Sequence, residues 1–133
     1  MAQYDNIEVL ELRAGEDLSG AEVLLESERE YPTLILFHLQ QFVEKMMKVS
    51  LQKHGVNYPR THDLSVLLEL FPQEKISEDD DVFAHLLSQF AVGSRYGEYV
   101  EPPWSGRDML EKAKEFVEMI GTLWEDPDTG SKI

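Results

Sequence analysis

Four side chains offer the chain's best prospect of chemistry: Lys45, Lys48, Arg60 and His62. Lysine and arginine supply charge and donors for a phosphate, and a histidine binds an anion or moves a proton near neutral pH. They lie in the one segment that runs against the charge of the whole. The chain carries 26 acidic and 12 basic residues, a net charge of −14. Residues 1–30 hold nine acids against two bases, whereas residues 31–62 hold Lys45, Lys48, Lys53 and Arg60 against Glu44 alone. An anionic ligand should therefore approach the 31–62 region. A second pair, Arg95-Tyr96, could grip a phosphate bidentately and stack a base. Both sets have plain structural alternatives. Lysines lie along the solvated edge of any central helix, Thr61-His62-Asp63 also reads as a capped helix start, and Arg95 also fits as a cap for the last carbonyls of a helix.

Other chemistries are disfavoured. The chain has no cysteine, which removes thiol catalysis, disulfides and Cys-based zinc sites. A carboxylate-bridged metal bundle needs Glu-x-x-His pairs, but His38, His54, His62 and His85 are preceded at that distance by Ile35, Leu51, Pro59 and Val82. No glycine-rich phosphate loop occurs, and Asp79-Asp80-Asp81 lacks the spacing of a calcium loop. No metal and no cofactor are expected. The acidic balance argues against broad nucleic-acid binding but leaves room for a local basic site. No leader pattern opens the chain, and its longest apolar run, Leu34 to Phe37, is far too short for a bilayer. The expectation is a cytoplasmic protein with no membrane association.

The elements that must position these residues are helical throughout, since apolar spacing follows steps of three and four and no period-2 run appears. The first helix spans about 5–27 with the stripe Ile7, Leu10, Ala14, Leu18, Ala21, Leu25; Gly15 and Gly20 weaken it or let a neighbour come close. The second starts at Tyr31-Pro32 and stops near Gly55. It is apolar around most of its circumference and should be central, with a narrow polar stripe of His38, Gln41, Lys45, Lys48 and Gln52 flanked by Glu44. Thr61 is read as the cap of a short third helix bearing Leu64, Leu67, Leu68 and Phe71 and ended by Pro72. The fourth begins at Ser77, with Glu78 to Asp81 complementing its dipole, buries Val82 or Phe83, Leu86, Leu87, Phe90 and Ala91, and ends at Gly93. The fifth starts at Ser105 with Asp108 as a capping partner and buries Met109, Ala113, Phe116, Ile120 and Leu123. The fold expected is an all-α, up-and-down antiparallel bundle of four to five helices over residues 1–126, with a polar tail at 127–133.

Several of these pieces occur together in order: Ala14-Gly15-Glu16-Asp17-Leu18, Gln40-Gln41-Phe42-Val43-Glu44-Lys45 with Lys48, Gly55, Pro59-Arg60-Thr61-His62-Asp63-Leu64, and Arg95-Tyr96. In this the chain resembles the HEPN domain family over about residues 6–124. The resemblance implies a helical bundle that dimerises, commonly encoded beside a minimal nucleotidyltransferase in a toxin–antitoxin-like pair. Many members are metal-independent ribonucleases with an Arg and a His separated by four to six intervening residues. If Arg95 is that Arg, the His positions hold Val100, Glu101 and Pro102, and no histidine follows His85. The expected function is thus a nucleotide- or RNA-phosphate-binding component rather than an enzyme. Its site would comprise Lys45, Lys48, Arg60, His62, Arg95 and Tyr96, supported by Gln41, Glu44 and Asp63. The alternatives are an active endoribonuclease with His62 or Arg95 in catalytic roles, and a protein-interaction module.

Overall fold

A buried face repeated along each long segment turns this chain into a bundle around one central helix. In the computed structural model, residues 5–95 and 102–125 are described, with side chains up to Gln89 on the fourth helix. The helices are α1 (Ile7–Glu26), α2 (Pro32–Lys53), α3 (Leu64–Leu68), α4 (Glu78–Arg95) and α5 (Gly106–Ile120), with a 3-10 turn at Gln73–Lys75. No strand occurs among them. The all-α expectation holds. The tail at 127–133 lies outside the described residues.

Central α2 touches α1, α3, α4 and α5. Leu39, Val43, Met47 and Leu51 on it are fully buried. Asp5 meets Gln52 and Asp17 meets His38, so α1 and α2 run antiparallel. α5 lies parallel to α2, because Gly106 sits near Ile35 and Trp124 stacks on His54 at 4.1 Å. That is the up-and-down order expected from short connections.

Local chemistry sets the ends. Asn6 caps α1 through Glu8 N–H at 2.7 Å, and Ser105 caps α5 through Asp108 N–H at 3.1 Å. Gly55 takes φ +70 just past α2, a backbone region that favours glycine. The helix-opening Gly106 sits where an added Cβ would lie 2.9 Å from the Leu25 side chain, so α5 starts hard against α1. Gly15 has no neighbour within 4 Å of such an atom and Gly20 makes only an ordinary contact with His38, so the close approach is at Gly106 instead.

Three local expectations are corrected. Asp63, not Thr61, caps α3: its carboxylate accepts from Ser65 N–H at 2.9 Å, while Thr61 Oγ1 accepts from Asp63 N–H at 3.0 Å one step earlier. The α3 helix is shorter than its apolar pattern, and Phe71 is buried from the turn that follows it. Gly93 does not end α4, which continues to Arg95; one glycine costs a helix only about 1 kcal/mol.

Candidate functional site

The polar stripe of α2 is half-buried rather than fully solvated. It runs along the seam between α1 and α2, where small Ala14 and Ala21, both fully buried, draw α1 in close. The short carboxylate of Asp17, between them on the buried face, thereby reaches across to α2. One of its oxygens accepts from His38 Nδ1 at 2.8 Å and the other from the Lys45 ammonium. Lys45 also donates to Gln41 Oε1 at 3.3 Å, and Gln41 Nε2 donates to Gln40 Oε1 at 2.8 Å.

A second buried acid completes the chain of contacts. Glu44, 4% exposed, accepts from Gln40 Nε2 at 3.1 Å, from Lys48 Nζ at 3.0 Å and from His62 Nδ1 at 3.0 Å. Gln40 Nε2 also donates to the His62 carbonyl at 2.8 Å, which ties the 55–63 connection to α2. Two carboxylates in a nearly dry seam require such partners, because a buried charge left unpaired is costly. Among the described residues no buried side-chain polar atom lacks one.

This network floors an open cleft of about 330 Å³. Gln41, Glu44, Lys45, Lys48, Arg60 and His62 all line it, so six of the nine residues expected at the site come together. Tyr58 joins them, its ring 5.7 Å from the Lys48 ammonium and its hydroxyl accepting from Gln52 at 2.9 Å. Asp5 and Leu10 close the α1 side. Asp63 is not among the lining residues; it acts as the α3 cap. Arg95 is the last residue of α4, and its side chain and Tyr96 lie outside the described residues.

The cations in the cleft differ in kind. Lys45 and Lys48 are held by Asp17 and Glu44, with side chains 18% and 15% exposed. Arg60 is exposed and makes no ion pair among the described residues. His62 has a side chain 69% exposed, yet its Nδ1 is fixed by a carboxylate that can only accept. Nδ1 is thereby the donor in this contact, and Nε2 faces away from Glu44 toward a ligand. The arrangement can hold a phosphate through Arg60, or exchange a proton with a group beside it.

Four polar participants escaped the sequence reading: Asp17, Gln40, Tyr58 and Asp5. A signal existed for the first. Leu10, Ala14, Asp17 and Ala21 keep helical spacing, and an acid on a core stripe demands a buried partner.

Among the described residues, no group of histidines and carboxylates could hold a metal ion, and no helix is long and apolar enough to cross a membrane. A family model for the HEPN domain matches residues 7–124. The crystal structure of ST0689, an archaeal HEPN homologue, is similar with a TM-score of 0.56 and 25% sequence identity, covering 88% of this chain and 90% of that one. No curated protein matches the sequence.

Proposed function

The chain belongs to the HEPN domain family, and on that premise we propose that it binds a nucleotide or RNA phosphate in the cleft between α1, α2 and the 55–63 connection. In this reading it is the non-catalytic component of a toxin–antitoxin-like pair in the cytoplasm. It acts as a homodimer beside a minimal nucleotidyltransferase. The observation that carries phosphate binding is Arg60: an exposed guanidinium with no carboxylate partner among the described residues, set in one cleft with two ordered lysines and an oriented imidazole. Arg95 and Tyr96 extend the reading from sequence, as a further cation and a stacking surface. The absence of histidine at positions 100–102 supports binding over cleavage.

The test is a thermal-shift titration with ATP and with short single-stranded RNA, comparing wild type with Arg60→Ala. Arg60 packs against little, so the variant should melt with the unliganded wild type. Ligand should raise the wild-type melting temperature and leave the variant's unchanged. Equal shifts in both proteins would remove Arg60 and this cleft from the proposal. For the pairing, mixing with the product of an adjacent nucleotidyltransferase gene should give a complex by gel filtration.

A second reading rests on one specific contact. A buried Glu44 that fixes the His62 tautomer and leaves Nε2 exposed is how a general base is prepared. With Arg60 on the phosphate, His62 Nε2 would take the 2′-hydroxyl proton, the 2′-oxygen–phosphorus bond would form, and the 5′-oxygen would leave and pick up a proton from water. Products ending in 2′,3′-cyclic phosphate, made by wild type and not by His62→Gln, would establish this reading over pure binding.

A further inference from the structure

Both buried acids of the seam are shared between a lysine and a histidine. Asp17 gives one oxygen to the Lys45 ammonium and the other to His38 Nδ1 at 2.8 Å. Glu44 takes Lys48 Nζ at 3.0 Å and His62 Nδ1 at 3.0 Å. With both imidazoles neutral, two carboxylates face two ammonium groups and their charges cancel. A second proton on either ring leaves its carboxylate facing two cations, and the seam then carries an excess positive charge. Imidazole is the side chain that makes this change near neutral pH. If Asp17 needed only a second hydrogen-bond donor, a neutral amide would serve, as Gln40 serves Glu44 at 3.1 Å.

The two histidines stand differently toward the cleft. His62 lines it, with a side chain 69% exposed, and would meet an anion directly. His38 is not among the lining residues. Its side chain is 27% exposed, its ring lies edge-on to Phe37, and a Cβ added at Gly20 of α1 would touch it at 3.7 Å. The groups that face it are few. Asp17 from α1 is the one charged group bonded to the ring among the described residues, and Lys45 stands on the other oxygen of that carboxylate. Arg13 and Glu16, the charged neighbours of Asp17 on α1, are exposed and make no ion pair among the described residues. No charged group described on α3, α4 or α5 forms an ion pair with the ring.

Resting on the phosphate reading of the cleft, we propose that His38 is its charge switch: protonation of His38 loosens Lys45 from Asp17 and turns that ammonium toward the bound phosphate, so the cleft binds its ligand more tightly as the pH falls below neutral. Two cations on one carboxylate repel each other, and the half-buried seam screens that repulsion less than water does. Lys45 lines the cleft, so the cation that His38 loosens is one that faces the ligand.

The experiment uses the full chain and a short labelled oligouridine without terminal phosphates, so that the ligand keeps its charge throughout. Fluorescence anisotropy is read from about pH 8 to about pH 5.5, the range in which an imidazole changes charge. The variant His38→Gln can keep a neutral donor on Asp17 but cannot take the second proton. The ratio of wild-type to variant affinity should grow about tenfold across this range, the worth of one added charge near the phosphate at the dielectric of a protein surface. If both proteins gain affinity alike, the response belongs to His62 and the switch is overturned, while the phosphate reading stands. If wild type binds at neither pH, the phosphate reading itself fails and the regulation falls with it. A second measurement needs neither ligand nor the His38 variant. By NMR of the imidazole nitrogens, His38 should take up its proton at higher pH in Lys45→Met than in wild type, because the competing cation is gone. Equal titration in the two proteins would show that Lys45 and His38 do not compete for Asp17, and would overturn the switch even in a chain that binds RNA.

Discussion

Removing the Lys45 ammonium tests the seam most sharply. The Lys45→Met variant keeps the aliphatic stem and deletes the charge that faces Asp17. For a fully buried pair, deleting one partner costs roughly 3–5 kcal/mol. Here the side chains of Lys45 and Asp17 remain 18% and 12% exposed, and Asp17 keeps its bond from His38 at 2.8 Å. The orphaned carboxylate is therefore partly compensated, and the expected loss is about 2 kcal/mol. In a chain of this length each kcal/mol moves the melting point by roughly 3–4 °C, so the drop is about 7 °C. The discriminating assay is a double-mutant cycle in urea with Lys45→Met, Asp17→Asn and the pair together. Once Asp17 is neutral, Lys45→Met should be milder by at least about 1 kcal/mol. If the two losses add within about 0.5 kcal/mol, the residues are uncoupled and the argument for a closed polar seam fails. The result also governs the ligand experiments: a Lys45 variant that loses nucleotide binding has lost stability as well, which is why Arg60 is the residue to change.

Two further outcomes separate structural from ligand roles. The Asp63→Ala variant should lose about 1 kcal/mol in chemical denaturation, the usual worth of an N-cap, while keeping its nucleotide-induced thermal shift; loss of the shift in a folded variant would return Asp63 to the site. Gly55→Ala should cost about 1 kcal/mol in the same measurement because it forces a side chain to φ +70, and a neutral result would show that the α2 exit relaxes without strain.

Much of the fold was legible because each long helix repeats its buried positions at helical steps. Leu39, Val43 and Met47 on α2, and Met109, Ala113, Phe116 and Ile120 on α5, are buried as their spacing implies. The α3 region was read less well, since five residues hold too few turns for periodicity and two oxygen-bearing residues compete for the cap. Six of the residues that line the cleft were legible because the stripe on α2 and the Arg60-Thr61-His62 connection stand out as polar and basic. Their state was not. A helical period shows which side chains share a face, but not that Asp17, near the middle of α1, crosses the seam to meet Lys45. Tertiary contact alone joins residues 28 positions apart.

That missed contact changes what the positive segment means. Counting along residues 31–62 suggests three or more cations awaiting an anion, yet Asp5 and Glu44 line the cleft with them and Asp17 lies just behind. Lys45, Lys48 and Arg60 against those three acids leave no excess charge, so attraction for a phosphate within the cleft has to come from Arg60, which no carboxylate among the described residues holds. Salt dependence reads this out. Single strands release about 0.7 counterion per phosphate neutralised. If Arg60 acts alone within the cleft, the Arg60-dependent part of the slope of log K against log salt is about −0.7. If both lysines also leave their acids for the ligand, the slope is about −2. Measured on wild type with a short RNA, a slope of about −0.7 supports a preformed seam with one active cation. A residual slope near −1.4 in Arg60→Ala would show that Lys45 and Lys48 exchange Asp17 and Glu44 for phosphate, and that the seam opens when ligand binds.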